Sequence, residues 1–264
     1  MLYLNLMFDQ VDKKLAGIRK FNLFMGFLHL VQAAAMYFLS NDFSIPITTS
    51  YLKATGTGFP TPQTEVWFNL RVGPWVALFL LLSALAHFLL ASPLLNKWYN
   101  ENLKKNINHA RWYEYAISSS VMIVVIAGLS GIYDFSLLLA LFGLNACMNL
   151  FGLVMELHNQ ATQKTNWTSF VYGCIAGIIP WIIVALAFYN ALADASGNVP
   201  SFVYFILISL FITFNIFPIN MILQYKKVGL WKDYLFGEKV YIVLSLVAKS
   251  LLAWQVFSGT LRPM

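Results

Sequence analysis

The sequence contains few charged residues for its length. Of its 264 residues, 11% are Asp, Glu, Lys or Arg, while 59% are hydrophobic and 16% are aromatic. Soluble globular domains usually carry about 25% charged residues, so this composition excludes an ordinary soluble domain. The composition indicates an integral membrane protein.

Cysteine and targeting signals are also scarce. The two cysteines, Cys147 and Cys174, lie inside apolar runs without CxxC spacing, so we expect packing residues rather than a disulfide or a zinc site. The apolar opening MLYLNLMF lacks the basic region and the small-residue cleavage site of a signal peptide. We therefore expect the first membrane span to act as the targeting signal.

Long apolar runs are abundant, and each is close to the length that a membrane-spanning helix needs. The sequence therefore predicts an all-α membrane protein, a seven-transmembrane-helix bundle that forms a single domain over residues 1–264. Residues 1–20 form a charged segment before the first span, suited to a short amphipathic helix on the lipid surface. The runs cover 21–39, 72–91, 112–132, 135–155, 170–189, 201–223 and 240–257.

The placement of the basic residues predicts the orientation in the membrane. The net charge is +6, and thirteen of the 17 basic residues fall in one set of connections. Because cytoplasmic loops are enriched in Lys and Arg, we expect a cytoplasmic N-terminus, an extracellular C-terminus and no nucleic-acid partner. The opposite loops hold only Lys53, Arg71 and Arg262, and Lys249 lies inside a span.

The first extracellular loop, residues 41–71, is the one long connection on its side. Its central part, ITTSYLKATGTGFPTPQTEVWF, places β-prone residues on both sides of Gly56, Gly58, Pro60 and Pro62. This pattern is typical of a short β-hairpin. We expect the hairpin to cap the bundle or to contact a second protomer.

The most informative residue is Lys249, near the middle of the last apolar run, VYIVLSLVAKSLLAWQVF. A charged lysine at the centre of a span costs about 2.5–3.5 kcal/mol on insertion scales, so it needs a partner or a chemical use. Lysine amines form Schiff bases with carbonyl compounds. A structural ion pair explains the charge equally well, and the residues alone leave both interpretations open.

Glu114, in the third span, is the natural partner for Lys249. Ser118 and Met122 follow Glu114 along one helical stripe, and Ser245 precedes Lys249 by one turn, so hydroxyl groups flank both charges. Glu114 lies only two residues into its apolar run, however. The two charges come level only if the third helix begins early, near Lys105, with Asn106, Asn108 and His109 already inside it.

Two histidines lie within the first two spans. His29 precedes Gln32 in the first span, and Ser83 and His87 share a face in the second. A hydrated polar pocket is the favoured interpretation, and a zinc site of the kind found in lipid hydrolases is the alternative, although no carboxylate-rich motif accompanies the histidines. We therefore predict no metal.

The remaining polar and aromatic residues have simpler interpretations. Asp134 and Asp194 are expected in tight outer turns, and Glu156 is expected to be a solvated carboxylate at the cytoplasmic edge. Proline bends are expected in the fifth and sixth spans. Aromatic side chains of these spans, among them Trp181, Phe211, Phe214 and Phe217, could enclose a long flat apolar ligand tied to the seventh span.

Several long motifs carry a family resemblance. The chain resembles the heliorhodopsin family over nearly all seven spans, through four motifs that are, in chain order, FNLFMGFLHLVQ, RWYEYAISSSVMIV, GCIAGIIPWI and SLVAKSLLAWQVFSGT. The resemblance implies that Lys249 binds all-trans retinal as a protonated Schiff base with Glu114 as counterion. It further implies a retinal pocket and a polar cavity that accepts the Schiff-base proton. The pocket candidates are Ser118, Ser119, Met122, Asn145, Trp181, Phe214 and Ser245, and the cavity candidates are His29, Ser83 and His87.

The resemblance also implies a function. Members of the family act as light sensors with a slow photocycle and mostly do not pump ions, so we expect a photoreceptor rather than an enzyme. The extracellular half lacks an intramembrane carboxylate, which agrees with a sensor. The alternatives are a light-gated proton channel or transporter on the same scaffold and, remotely, a seven-span metalloenzyme. Expected partners are membrane lipid, a second copy in a homodimer and a cytoplasmic signalling protein.

Overall fold

The structure is a computed structural model that describes residues 2–261 apart from 55, 57 and 195–200. Seven of the eight α-helices in these ranges are long and apolar enough to cross a membrane. The predicted seven-helix membrane architecture is therefore confirmed, with one additional short helix, α3. Arg262, one of the basic residues used to predict orientation, lies outside the described residues. The helices are α1 (Leu2–Leu39), α2 (Val72–Ala91), α3 (Asn96–Lys104), α4 (His109–Leu129), α5 (Phe135–His158), α6 (Thr168–Asp194), α7 (Ser201–Tyr225) and α8 (Tyr234–Val256).

The predicted hairpin is present between α1 and α2. Strand β1 (Ser44–Lys53) pairs antiparallel with β2 (Thr61–Arg71), with an irregularity in register between Ile47 and Thr48. Ile45 and Ile47 are buried, and the Thr48 amide donates to the Tyr133 carbonyl over 2.9 Å. The base of the hairpin therefore covers the turn between α4 and α5, and we call this side of the molecule the hairpin end.

The N-terminal segment is not a separate surface helix. Residues 2–39 form one continuous helix, and Leu15 and Ile18 pack in a buried cluster with residues of α2, α3 and α8. Ion pairs join Lys14 to Asp233 over 2.7 Å and Asp12 to Lys104 over 2.9 Å. The segment is held against the bundle because its apolar face packs on these helices. The sequence pattern alone does not distinguish an apolar face that packs on helices from one that rests on lipid.

Helix α4 begins later than predicted. Its first residue is His109, its N-cap is Asn108, and Asn106 adopts a positive φ of 58°, which a helix interior does not accommodate. The expected extension to Lys105 is therefore wrong. Nevertheless Ile107 and Asn108 are buried, so α4 starts inside the bundle. Glu114 therefore lies deep enough to reach Lys249 without the extension.

The turn at Asp134 places α4 and α5 side by side. Asp134 Oδ1 accepts a hydrogen bond from the Leu137 amide over 3.0 Å and so caps α5, as expected for a carboxylate at a helix start. Farther along, α5 approaches α4 closely at Gly152. A Cβ atom at Gly152 would lie 2.3 Å from the Trp112 ring, so glycine allows the indole to pack there.

This contact gives a prediction about stability. We expect Gly152→Ala to lower the apparent Tm of the detergent-solubilised protein, because the added methyl forces the rigid Trp112 ring to move, at a cost of about 1–3 kcal/mol. Gly143→Ala on the same helix is the matched control, since nothing lies within 4 Å of its Cβ position. Equal melting temperatures for the two variants would contradict the packing at Gly152.

Candidate functional site

Lys249 and Glu114 form an ion pair inside the bundle. The Lys249 Nζ lies 3.1 Å from Glu114 Oε1, and the two side chains are 3% and 12% exposed. Lys249 Nζ also donates to Ser245 Oγ over 2.7 Å, and Ser83 Oγ donates to Glu114 Oε1 over 2.6 Å. Opposite charges about 4 Å apart attract by roughly 4 kcal/mol at an effective dielectric near 20, enough to hold both ions in an apolar surrounding.

The geometry explains how the two charges come level. Tyr115, the residue after Glu114, donates its hydroxyl to the Tyr241 carbonyl over 2.9 Å, so this part of α4 lies beside the second turn of α8. Lys249 lies two turns farther along α8. Helical side chains point back toward the N-terminus, and the long lysine side chain therefore reaches past Ser245 to Glu114.

The two predicted histidines stack on each other beside this pair. The ring centroids of His29 and His87 are 5.6 Å apart with an interplanar angle of 15°, and His87 Nδ1 lies 2.7 Å from Asn22 Oδ1. His29 is fully buried, and neither of its ring nitrogens has a hydrogen-bond partner among the described residues. Together with Ser83, these side chains make a polar region between α1, α2 and α4. Gln32, by contrast, binds Trp254 Nε1 on α8 and lies outside this region.

A large apolar cavity of about 520 Å³ adjoins Lys249. It is bounded by α4, α5, α6, α7 and α8, and Lys249 is the one charged side chain among the described residues that line it. Trp181 forms part of the wall and packs edge-on against Phe211 and Phe214, with centroids 5.5 and 5.4 Å away. The cavity is within the size range of about 300–1,000 Å³ that small-molecule sites occupy.

The structure brings most of the predicted pocket residues to this cavity. Ser119, Met122, Trp181, Phe214 and Ser245 line it together with Lys249. Two predicted residues are set back from it, Ser118, which is fully buried in α4, and Asn145, which donates to Ser119 Oγ over 2.7 Å.

The cavity wall also contains residues that were not predicted to line it. Asn149, Tyr115 and Met148 belong to the wall, whereas Phe217, which also lines it, was among the aromatic residues expected around a ligand. Asn149 follows Asn145 by one helical turn, a spacing that could have indicated a shared face. Cys174 lines the cavity as well and, like Cys147, is exposed rather than packed in the core, so the expected packing role is wrong for both.

A second buried charge cluster lies toward the end opposite the hairpin. Arg111 pairs with Glu156, Nη2 to Oε1, over 2.5 Å and also with Glu238, and all three side chains are at most 4% exposed. The expectation that Glu156 is a solvated carboxylate is therefore wrong, because the guanidinium that pairs with it lies inside the bundle. Arg111, one of the thirteen basic residues that the charge pattern assigned to the cytoplasmic connections, likewise lies in α4 and not in a loop.

Glu238 was missed in the sequence, although a signal for it exists. Glu238, Ser245 and Lys249 are spaced by seven and four residues, which places them on one face of α8. Arg111 and Ser118 flank Glu114 on α4 at helical spacing in the same way. Two polar stripes therefore face each other across the α4–α8 interface.

The family comparison covers every helix that contributes to this site. A sequence model of the heliorhodopsin family matches residues 18–261, nearly the whole chain. The chain belongs to the heliorhodopsin family. No curated protein matches the chain.

Membership of the heliorhodopsin family supports a retinal-binding, rhodopsin-like photoreceptor in a multi-pass membrane protein. The residues present fit such a ligand: a primary amine lies in the wall of a cavity whose other walls are mostly aromatic and aliphatic. In the part of the chain that the structure describes, no three His, Cys, Asp or Glu side chains are grouped as metal ligands would be.

The Arg111 cluster gives a second prediction about stability. Arg111→Gln leaves Glu156 and Glu238 buried without a cation, and removal of one partner from a buried ion pair costs about 3–5 kcal/mol. We expect a large drop in the apparent Tm, and a partial recovery in the double variant Arg111→Gln/Glu238→Gln, which buries one uncompensated charge fewer. A double variant no more stable than Arg111→Gln would argue against the paired arrangement.

Proposed function

We propose that this protein is a light sensor that holds all-trans retinal on Lys249 Nζ as a protonated Schiff base. The observation that carries the proposal is the position of Lys249, the one charged side chain among the described residues around a cavity of about 520 Å³. When bound, retinal supplies the light-absorbing conjugated chain and the double bond whose isomerisation changes the surroundings of Nζ. The protein supplies the counterion, the walls and the proton-binding groups.

Each of these roles is assigned to residues of the site. Glu114 neutralises the positive charge on Nζ, and Ser245 and Ser83 hold the two charged groups in place. Trp181, Phe214 and Met122 form apolar walls, and Ser119 is tied to α5 through Asn145. His29 and His87, beside Ser83, form a polar region into which a proton from Nζ can move.

The distribution of ionisable groups favours a sensor over a pump. From Lys249 toward the hairpin end, the core of α8 continues with Leu252, Ala253 and Val256, which are fully buried and apolar. The buried ionisable groups of the described residues lie level with Lys249 or away from the hairpin. A transmembrane pump needs proton-binding groups toward both surfaces, so this arrangement supports proton storage and a slow photocycle.

The same proposal includes the expected setting of the protein. The basic residues at the end opposite the hairpin support a cytoplasmic N-terminus, and they offer a docking surface for a cytoplasmic signalling protein. The hairpin exposes Phe59 at its turn and Trp67 on β2, at 95% and 61%, which supports a homodimer formed partly through this loop.

The attachment of retinal is tested directly by absorption spectroscopy. Retinal added to the purified wild-type protein should produce a visible band, and Lys249→Ala should abolish the band because no amine remains in the cavity wall. Lys239→Ala, which removes an exposed lysine of the same helix, is the matched control and should retain it. A visible band in Lys249→Ala would refute the attachment site, and light-driven currents under voltage clamp would favour a channel or transporter.

The counterion is tested by a second substitution. Glu114→Gln removes the negative charge 3.1 Å from Nζ, so the positive charge spreads farther along the conjugated chain. We expect a red shift of the visible band relative to the wild type. Glu101→Gln, at an exposed position on α3, should leave the spectrum unchanged, and an unshifted Glu114→Gln spectrum would exclude Glu114 as the counterion.

A further inference from the structure

A narrow cavity connects the Lys249 site with the Arg111 cluster. It has a volume of about 30 Å³ and is lined by Glu114 and Ser245 at the Lys249 site and by Arg111 and Glu238 at the cluster. A buried site holds one water per roughly 10–15 Å³ of such volume, so this space accommodates about two waters. We propose that Glu238 is the acceptor that stores the proton released from Lys249 Nζ.

The cluster carries an excess of negative charge. Glu156 and Glu238 are both 1% exposed, and among the described residues Arg111 is the one cation that pairs with either of them. Two carboxylates against one guanidinium leave one buried negative charge uncompensated. Because an uncompensated charge is costly away from water, arrival of a proton at either carboxylate relieves the cluster.

The two carboxylates differ in how well protein donors stabilise their charged forms. Glu156 accepts hydrogen bonds from Arg111 Nη2, the Asn108 amide, Trp112 Nε1 and the Tyr234 hydroxyl, over 2.5–3.3 Å. The two oxygens of Glu156 thus share four donors, one more than those of Glu238.

Glu238 is less completely bonded and faces the cavity. It accepts from Arg111 Nη1, from Asn108 Nδ2 over 2.6 Å and from Gln224 Nε2 over 3.4 Å, the last a long contact. Glu238, but not Glu156, lines the narrow cavity. Arg111 Nε, in the same cavity wall, has no hydrogen-bond partner in the described parts of the chain and is a donor available to water. Glu238 is therefore the carboxylate that water can reach.

The proposed proton transfer from Lys249 Nζ to Glu238 needs no other reactant. The N–H bond at Lys249 Nζ breaks and Glu114 receives the proton, while a proton passes from Glu114 through cavity water to a Glu238 oxygen, where an O–H bond forms. Glu114 is a carboxylate before and after the transfer; Nζ and the cluster end neutral, and the uncompensated negative charge now lies on Glu114. No electron is transferred, and the reverse path restores the starting state.

Competing acceptors are less suitable for long storage. A proton on Glu114 would remain 3.1 Å from Nζ and return at once. A proton on His87 would stay in the polar region beside the Lys249–Glu114 pair, whereas Glu238 lies about three helical turns from Lys249 along α8. Burial raises the pKa of Tyr99, outside the spans, so this phenol keeps its own proton. The titratable groups around the pair are Tyr99 on α3, Arg111 and Tyr115 on α4, Tyr225 on α7, and Tyr234 and Tyr241 on α8.

The inference rests on the proposed function, because light has to displace the proton from Nζ, and it is tested by infrared difference spectroscopy on the retinal-loaded protein. Illumination should produce a new carboxylic-acid C=O band that shifts down in D₂O. Glu238→Gln should lose this band and shorten the lifetime of the light-induced state. The control Glu238→Asp keeps a carboxylate at this position and should keep the band at a shifted frequency.

A second measurement uses the retinal-free protein and does not depend on light. The measurement is the apparent Tm of Glu238→Gln, which separates loss of the proton acceptor from loss of the fold. Glu238→Gln leaves Arg111 and Glu156 as a one-to-one pair, so the variant is expected to fold, and its apparent Tm verifies this.

The outcomes distinguish a failure of the Glu238 assignment from a failure of the proposed function. No visible band after retinal addition to the wild type overturns the proposed function and the inference together. A normal visible band with no light-induced C=O band, or with a C=O band that persists in Glu238→Gln, overturns the inference alone. In those cases the proton resides on His29 or His87, or on Glu114.

Discussion

The neutralisation of Lys249 is the constraint on which the arrangement of the bundle depends. An ammonium group that is 3% exposed inside an apolar bundle is tolerable only with a carboxylate and further hydrogen bonds around it. Glu114 on α4 supplies the charge, and Ser83 on α2 donates to that carboxylate. One ion pair and one hydrogen bond therefore hold three helices that are separate in sequence at a fixed relative depth, and the large cavity beside α8 gains one charged position in a largely apolar wall.

The deep start of α4 is what makes that depth possible. Asn108 caps the helix through its side-chain oxygen, which accepts from the Arg111 amide over 3.0 Å. The same residue donates its backbone amide to Glu156 and its side-chain amide to Glu238. A helix start buried in the bundle would leave unsatisfied backbone amides, and here Glu156 accepts from the Asn108 amide and the Asn108 side chain accepts from the Arg111 amide. The Arg111 cluster and the Lys249 pair are thus two levels of one polar seam between α4 and α8.

Much of this architecture follows from local sequence patterns. Apolar runs and turn residues predict the seven spans and the hairpin, because bilayer thickness and backbone conformation act over short stretches of chain. Lys249 and Glu114 are recognisable because a charge inside an apolar run is anomalous by itself. Arg111, Glu156 and Glu238 lie where spans meet loops, and the same residues could equally be solvated. Their burial is decided by where α4 begins, which depends on a positive φ at Asn106 and on contacts with distant helices.

The polar seam also limits where charge can move. Beyond Lys249, toward the hairpin, Leu252 and Val256 pack with Val125 and Ile126 of α4 in a continuous apolar core, and the hairpin base closes it with Ile45. On the other side of Lys249, buried carboxylates, histidines and a guanidinium follow one another within the bundle. Because the buried charged groups of the described residues lie level with Lys249 or on that side, a change of charge at Nζ is felt at the Arg111 cluster, and through it at α3, α5 and the start of α8. The ends of those helices opposite the hairpin are therefore the part of the molecule in which a local proton movement can become a change of shape.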